Sequence, residues 1–245
     1  WVVAQQHQME AENVICFSSK TMPILAVLRK NLIETKKTLI AYSGEPPTHF
    51  DPKTVREVYG YNFELSKVDS PADIPSFEGS TIYIIEHEDL FDIELHTSID
   101  FFLSLHPQLG SIILANGDQN KPYISEIQHV RRRESIAMTP ANCLTALQLL
   151  IGAIPEKDIK NISQRKESVI SSIKKITGAD TKAVVGSSGL SIQYAITMGL
   201  IHDALENHAG QAIKLLVPPN CYGGTNDQAR RVAACLDNVE VVDLP

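Results

Sequence analysis

Between residues 38 and 151 the sequence alternates short apolar runs with longer mixed segments, and this alternation constrains the fold more than any other feature. Each apolar run has the length of a buried strand, and each intervening segment is long enough for a crossover helix. Strands joined by such crossovers pair in parallel. The pattern predicts an α/β fold with a parallel, doubly wound sheet of flavodoxin-like size. The five predicted strands are 38–42, 63–68, 81–85, 111–115 and 134–138.

The remaining sequence divides around this repeat. Residues 1–37 carry apolar positions at helical spacing and predict a helical lead-in. Residues 152–160 contain a glycine, a proline and acidic residues and are the predicted linker. Residues 161–245 then form a second unit, which begins with a helix that Ser163 could cap and that Gly178 could end.

The second unit contains a glycine-serine turn, GSSGL at 186–190, between an apolar run and a long segment of helical periodicity. A glycine-rich turn that opens a helix directs several backbone N–H groups towards one point. The turn therefore predicts a phosphate-binding helix N-terminus. By itself the pattern is weak, because ordinary strand-to-helix loops share it.

A second turn, CYGGT at 221–225, follows the apolar run 213–217. It places Tyr222 beside two glycines, where the aromatic ring could lie flat on a planar ligand. Thr225 is the predicted cap of a helix that spans about 226–236. The ordinary alternative for Tyr222 is a packed surface aromatic residue.

Taken together, the two turns and the lead-in ITGAD at 176–180 resemble the pyridoxal-phosphate enzymes of cysteine and methionine metabolism, a group that includes the cystathionine synthases and lyases and methionine γ-lyase. The resemblance covers residues 161–245. It implies the first part of a fold-type-I transferase large domain. It also implies pyridoxal 5′-phosphate as the cofactor, bound by Ser188, Gly189, Leu190 and Tyr222, with Leu190 standing where the family has methionine.

The activity that the resemblance implies is β- or γ-elimination or replacement on a sulfur-containing amino acid, in a homo-oligomer. The family's cofactor-binding lysine, its aspartate and its substrate-binding arginine all follow the second turn at positions beyond Pro245. We therefore expect this chain to be the N-terminal portion of such a lyase or transferase. On its own it is expected to be inactive, with no catalytic residue assigned.

Residues 38–151 resemble a response-regulator receiver domain that has lost its chemistry. Glu86 stands where a receiver has its phosphorylated aspartate, and Thr139-Pro140 stands where lysine-proline is expected. A pseudo-receiver used for regulation or docking is the favoured interpretation. A phosphorylated receiver would require Glu86, Glu88 or Asp89 to act. An unrelated flavodoxin-like domain is also open.

Two further functions remain open. The chain could be a non-catalytic regulatory or interaction protein in which the cofactor-type turns serve packing. Alternatively it could belong to a pyridoxal-phosphate amino-acid decarboxylase, since such enzymes also place a flavodoxin-like wing domain before the cofactor domain. Fold-level analogy does not decide the reaction.

The composition limits which other classes of function are open. The net charge of −7 disfavours nucleic-acid partners, and the Arg131-Arg132-Arg133 cluster is interpreted as a solvated loop. Four widely spaced cysteines argue against zinc or a disulfide framework and favour a cytoplasmic protein. No apolar run is long enough to span a membrane. An acidic run between Glu86 and Glu94 is read as solvated charge, so no metal site is predicted.

Overall fold

A computed structural model describes residues 1–153, 162–179 and 182–245 of the chain. In these parts of the chain, six strands form one sheet with the order β1-β6-β5-β4-β2-β3 and two more form a separate parallel pair. The strands of the large sheet are β1 (Val14–Phe17), β2 (Thr38–Tyr42), β3 (Glu64–Lys67), β4 (Ser80–Glu86), β5 (Phe101–His106) and β6 (Gly110–Ala115), and the pair is β7 (Ile213–Val217) and β8 (Val239–Asp243).

Helices flank both sheets. Short 3₁₀ turns at Ala11–Asn13, Pro71–Asp73 and Asp118–Asn120 connect some of the elements. The helices are α1 (Val2–Gln6), α2 (Met22–Ile33), α3 (Pro52–Glu57), α4 (Lys121–Arg133), α5 (Pro140–Leu150), α6 (Ile162–Thr177), α7 (Gly189–Asn207) and α8 (Gly223–Ala233).

The large sheet is mixed and mostly parallel. Strands β3, β2, β4 and β5 run parallel, whereas β6 is antiparallel to both β5 and β1. The reversal follows from the short connection between β5 and β6, because three residues can join antiparallel strands but not parallel ones. His106 closes this turn, since its Nδ1 accepts hydrogen bonds from the N–H groups of Gln108 (3.0 Å) and Leu109 (3.1 Å).

The α/β prediction agrees with the structure, but three details of the expected parallel sheet are wrong. Residues 134–138 do not form a strand, and β5 was not predicted. The lead-in contains the expected helix, α2, yet it also supplies β1, which pairs with β6 at the sheet edge. The predicted strands at 38–42, 63–68, 81–85 and 111–115 correspond to β2, β3, β4 and β6.

Both faces of the large sheet are covered, which explains why every residue of β5 and β6 is buried. One cluster of apolar side chains joins the sheet to α2 and α4, and a second joins the other face to α1 and α5. Alternate residues serve the two clusters. Phe101 and Leu103, for example, face the first cluster and Phe102 faces the second.

The second unit packs on the first of these faces. Tyr194, Met198 and Ile201 of α7, together with Val232 of α8 and Val239 of β8, belong to the same apolar cluster as α2 and α4. The two units that the sequence separates at the linker therefore share a core. Of the predicted linker, residues 154–160 lie outside the described residues.

Two predicted helix ends in the second unit can be compared with the structure. Gly178 follows α6 with a φ of +66° and donates its N–H to the carbonyl of Lys174 at 2.9 Å, so the predicted glycine stop is confirmed. Ser163 lies inside α6, so its predicted place as the cap is wrong. No helix in the described ranges has both the length and the apolar character that crossing a membrane requires.

Candidate functional site

The glycine-serine turn forms the N-terminus of α7, as the sequence predicts. Ser188 is the cap residue, and its Oγ accepts a hydrogen bond from the Ser191 N–H at 3.1 Å. Ser191 Oγ in turn accepts from the Ser188 N–H at 2.8 Å. This reciprocal capping box fixes the turn. The apolar run before it, 182–185, is not a strand.

The capping box leaves two N–H groups at this helix end available. An α-helix begins with N–H groups that have no partner inside the helix, and here Ser191 is satisfied by the cap. The N–H groups of Gly189 and Leu190 donate to no residue that the structure describes. Both lie where the helix dipole favours negative charge. The turn can therefore offer two backbone donors to an anion.

Tyr222 is the cap residue of α8, and its side chain is 66% exposed. Arg133 Nη1, at the end of α4, donates to the Tyr222 hydroxyl at 3.2 Å. The helix begins at Gly223, so the predicted cap at Thr225 is wrong. Thr225 instead lies in the first turn and donates its hydroxyl to Gln193 Oε1 of α7 at 2.9 Å. The start of α8 is thereby attached to the start of α7.

The predicted cofactor residues Ser188, Gly189, Leu190 and Tyr222 line one open groove of about 480 Å³. This volume falls within the range of about 300–1,000 Å³ that is usual for small-molecule sites. The structure thus brings two separate sequence motifs to one place. The other lining residues, none of which the sequence predicts as cofactor-binding, are Arg132, Ser135, Ile136, Gln193 and Thr225.

The arginine cluster at 131–133 is the last turn of α4, so its interpretation as a loop is wrong. Arg132 lines the groove, and Arg133 contacts Tyr222. Cations at a helix C-terminus are stabilised by the helix dipole. The large sheet unit therefore supplies the positive charge of the groove, while the N-terminus of α7 supplies the N–H donors.

One buried amide holds these two elements together. Gln228 of α8 is 1% exposed, and its Nε2 donates to the carbonyls of Arg133 (3.1 Å) and Leu190 (3.0 Å). The end of α4 and the first turn of α7 are consequently fixed one amide group apart. Gln228 has no recognisable sequence signal, because its partners are distant along the chain.

A buried ionic network joins α2 to Glu134, the residue that follows α4. Arg29 of α2 makes a two-fold contact with Glu134 at 2.5 and 2.7 Å, and it also donates to the hydroxyls of Tyr61 and Tyr194. Burial opposes the charge on Arg29, but Tyr61, Glu134 and Tyr194 outweigh it and raise the guanidinium pKa. Burial raises the pKa of both tyrosines, so their hydroxyls stay neutral while they accept from Arg29. Arg231 extends the network through its contact with Glu126.

The residues expected at a receiver site, Glu86 and Thr139, lie at the end of β4 and before α5. Glu86 ends β4 and accepts from Lys20 Nζ at 2.6 Å. Thr139 follows no strand but caps α5, since its Oγ1 accepts from the Asn142 N–H at 3.2 Å. In the described ranges, no group of three or more histidine, cysteine or acidic side chains is placed to hold a metal ion.

Comparison with known proteins gives no assignment. No family model matches this chain, and no curated protein matches it. The chemistry of the groove therefore has to be inferred from its own residues. Two free N–H groups and an arginine suit an anion such as phosphate, and the exposed face of a tyrosine suits a planar ring.

Proposed function

We propose that the groove binds pyridoxal 5′-phosphate, with the phosphate at the N-terminus of α7 and the ring against Tyr222. One observation carries the proposal: two motifs from separate stretches of sequence, Ser188–Leu190 and Tyr222, line the same groove. Each motif alone has an ordinary explanation. A shared groove with an anion-binding end and an aromatic wall is what a phosphorylated planar cofactor requires.

The residues of the groove fit this cofactor. Gly189 and Leu190 offer free N–H groups, and Arg132 adds a cation. A Cβ atom at Gly189 would meet no other atom within 4 Å, and its φ is not positive, so the chain's own packing does not require glycine there. A ligand that approaches the backbone closely would require glycine at this position.

Bound pyridoxal phosphate supplies an electron sink for chemistry at the α-carbon of an amino acid. The residues described here would bind and orient it. The α7 N-terminus would hold the phosphate, and Arg133 would hold the Tyr222 ring through the hydroxyl. No lysine is found among the described residues that line the groove, so the proposal for this chain is non-covalent binding.

The proposed activity of the complete site is that of a lyase or transferase acting on a sulfur-containing amino acid by β- or γ-elimination or replacement. It rests on the resemblance of the two turns to that enzyme group. In this proposal the large sheet is a pseudo-receiver or wing-like unit. Its mixed strand directions differ from the flavodoxin-like arrangement, while the order β3-β2-β4 at one edge agrees with it.

The homo-oligomer remains part of the proposal. Several apolar side chains of the second unit are exposed, including Ile196 (54%) and Leu200 (65%) of α7 and Leu216 (60%) of β7. We propose that a second copy of the chain covers these exposed side chains. A monomeric sedimentation coefficient at micromolar concentrations would contradict it.

A second candidate is a non-catalytic interaction protein in which the turns serve packing. The Arg133–Tyr222 hydrogen bond and the Gln228 bridge favour it, because they explain the order of these turns without a ligand. The two proposals differ in one respect. Only the cofactor proposal gives a binding role to the open space beside Gly189 and to the free N–H groups there.

A pair of glycine substitutions in α7 separates them. Gly189 and Gly199 both have room for a methyl group, so alanine at either site should be tolerated. In the helix interior, at Gly199, the change should stabilise the protein by about 0.5–1 kcal/mol. If the groove is a cofactor site, Gly189→Ala should bind pyridoxal phosphate about tenfold more weakly in calorimetric titration, because the added methyl group would crowd the ligand at a cost of ~1–3 kcal/mol. Gly199→Ala should bind it as the unsubstituted protein does. Absence of any saturable binding by the unsubstituted protein would support the packing proposal.

A further inference from the structure

The phosphate end of the groove is built from two units of the fold, and this goes beyond what the two sequence motifs imply. The motifs lie in the second unit, in α7 and before α8. Arg132 and Ser135 also line the groove, yet they come from the end of α4 and the segment after it. The large sheet unit therefore contributes side chains to the groove as well as packing against it.

Ser135 is a buried residue whose hydroxyl has no partner among the described residues. The residue is 4% exposed and lines the groove, and its side chain hydrogen-bonds to no residue that the structure describes. The Oγ atom is not among the fully buried polar atoms that lack a partner, so the hydroxyl itself keeps contact with solvent. A free hydroxyl on a residue that lines a groove is available to donate a hydrogen bond to an acceptor atom of a ligand.

Arg132 supplies the charge. It is the penultimate residue of α4, it is exposed, and it lines the same groove as Ser135 and the first turn of α7. Gln228 fixes this arrangement, since its amide donates to the neighbouring Arg133 carbonyl and to the Leu190 carbonyl. The residues that line the groove thus carry two free backbone N–H groups, one free hydroxyl and one guanidinium.

We propose that Arg132 and Ser135 bind the phosphate group of the ligand in cis, together with the Gly189 and Leu190 N–H groups. This inference rests on the proposed function for the identity of the ligand, a phosphorylated pyridine aldehyde. The large sheet unit is then a specificity element of the site. It selects the phosphorylated form over the unphosphorylated one.

The test compares three probes with three single-residue variants of the full chain. The probes are pyridoxal phosphate, pyridoxal and inorganic phosphate, the last used as a competitor, and dissociation constants are measured by calorimetry. The variants are Arg132→Gln, Ser135→Ala and the control Lys53→Gln. Lys53 lies on α3, its side chain is 78% exposed, and its replacement removes the same charge outside the groove.

Arg132→Gln is expected to weaken pyridoxal phosphate binding about tenfold or more, because a charge-assisted hydrogen bond is lost. Ser135→Ala should weaken it by about three- to tenfold. Both should change pyridoxal binding by less than about twofold, since pyridoxal lacks the phosphate. Lys53→Gln should bind all three probes as the unsubstituted protein does.

Stability distinguishes a ligand hydroxyl from a structural one. Because Ser135 has no described partner, Ser135→Ala should keep or raise the midpoint of thermal unfolding while it weakens phosphate binding. A lowered midpoint with unchanged affinity would make Ser135 structural and overturn its assignment. The measurement does not depend on enzymatic activity.

The outcomes separate the two proposals. Pyridoxal phosphate binding that is unaffected by Arg132→Gln and Ser135→Ala would overturn the inference and leave the proposed function standing. Binding of inorganic phosphate without pyridoxal phosphate, weakened by Arg132→Gln, would keep the anion site and overturn the cofactor assignment. Binding of neither probe would overturn both.

Discussion

Arg133 and Tyr222 connect the two units of the protein at the candidate site, through a 3.2 Å hydrogen bond from Nη1 to the tyrosine hydroxyl. Arg133 ends α4 of the large sheet unit, and Tyr222 precedes α8. The tyrosine ring is otherwise 66% exposed. Its orientation in the groove therefore depends on a residue of the other unit.

Displacing Tyr222 should weaken ligand binding without unfolding the chain. A Cβ atom at Gly224 would lie 2.6 Å from Tyr222 Cε1 and 3.0 Å from both Arg133 Nη1 and Leu190 Cδ1, so Gly224→Ala should push the ring from its place and press on the Leu190 side chain. We expect about tenfold weaker pyridoxal phosphate binding, measured by calorimetry. Gly223→Ala is the matched control, because a Cβ atom there meets nothing within 4 Å. Equal affinities for the two variants would contradict a role for the ring.

Removing one member of the buried Arg29–Glu134 pair should destabilise the protein strongly. Their side chains are 2% and 0% exposed, so Arg29→Met leaves a carboxylate buried without its main partner. We expect the free energy of unfolding to fall by about 3–5 kcal/mol in urea denaturation. Arg230→Met removes a half-exposed pair with Asp243 and should cost at most about 1 kcal/mol. A comparable loss of unfolding free energy in both variants would show that burial of the Arg29–Glu134 pair does not increase the cost of breaking it.

Stability should fall in mild acid because of His106. Burial lowers the pKa of His106 in the folded state despite the nearby Glu88. The unfolded chain, whose histidines titrate near pH 6.5, then binds a proton more readily than the folded one. The free energy of unfolding should be constant above about pH 6.5 and decrease as the pH falls below it towards the folded pKa.

The variant His106→Asn tests this assignment. An asparagine Oδ1 can accept from the same turn N–H groups and does not titrate. The decrease in the free energy of unfolding with falling pH should therefore become shallower. Part of the slope should remain, because burial also lowers the pKa of His87. The exposed residue His208, replaced by asparagine, is the control and should keep the original profile. An unchanged slope in His106→Asn would assign the acid sensitivity elsewhere.

Sequence alone predicted the elements whose signals are local. Strand β2 has the predicted bounds, and α7 begins at the predicted glycine turn. Strand β5 was missed because a three-residue hairpin breaks the assumed alternation of strands and crossover helices. Residues 134–138 have the apolar pattern of a strand, but Glu134 is held by Arg29, a tertiary contact that no local pattern reveals.

The residues of the candidate site also divide into those with a local sequence signal and those without one. Ser188, Gly189, Leu190 and Tyr222 are recognisable because each belongs to a short turn motif. Arg132 and Ser135 reach the groove only through packing of α4 against α7 and α8, and the Gln228 bridge to Arg133 spans 95 positions. Contacts of that separation depend on the whole fold. The structure was therefore needed to show where the positive charge of the groove comes from.

The most direct measurement is the response of individual backbone amides to pyridoxal phosphate in an isotope-labelled sample, followed by nuclear magnetic resonance. The account predicts saturable shifts of the Gly189 and Leu190 amide signals, because their free N–H groups would donate to the phosphate. Arg132→Gln should reduce the affinity that these shifts report. Saturable shifts elsewhere in the chain with unchanged signals for Gly189 and Leu190 would contradict the central claim.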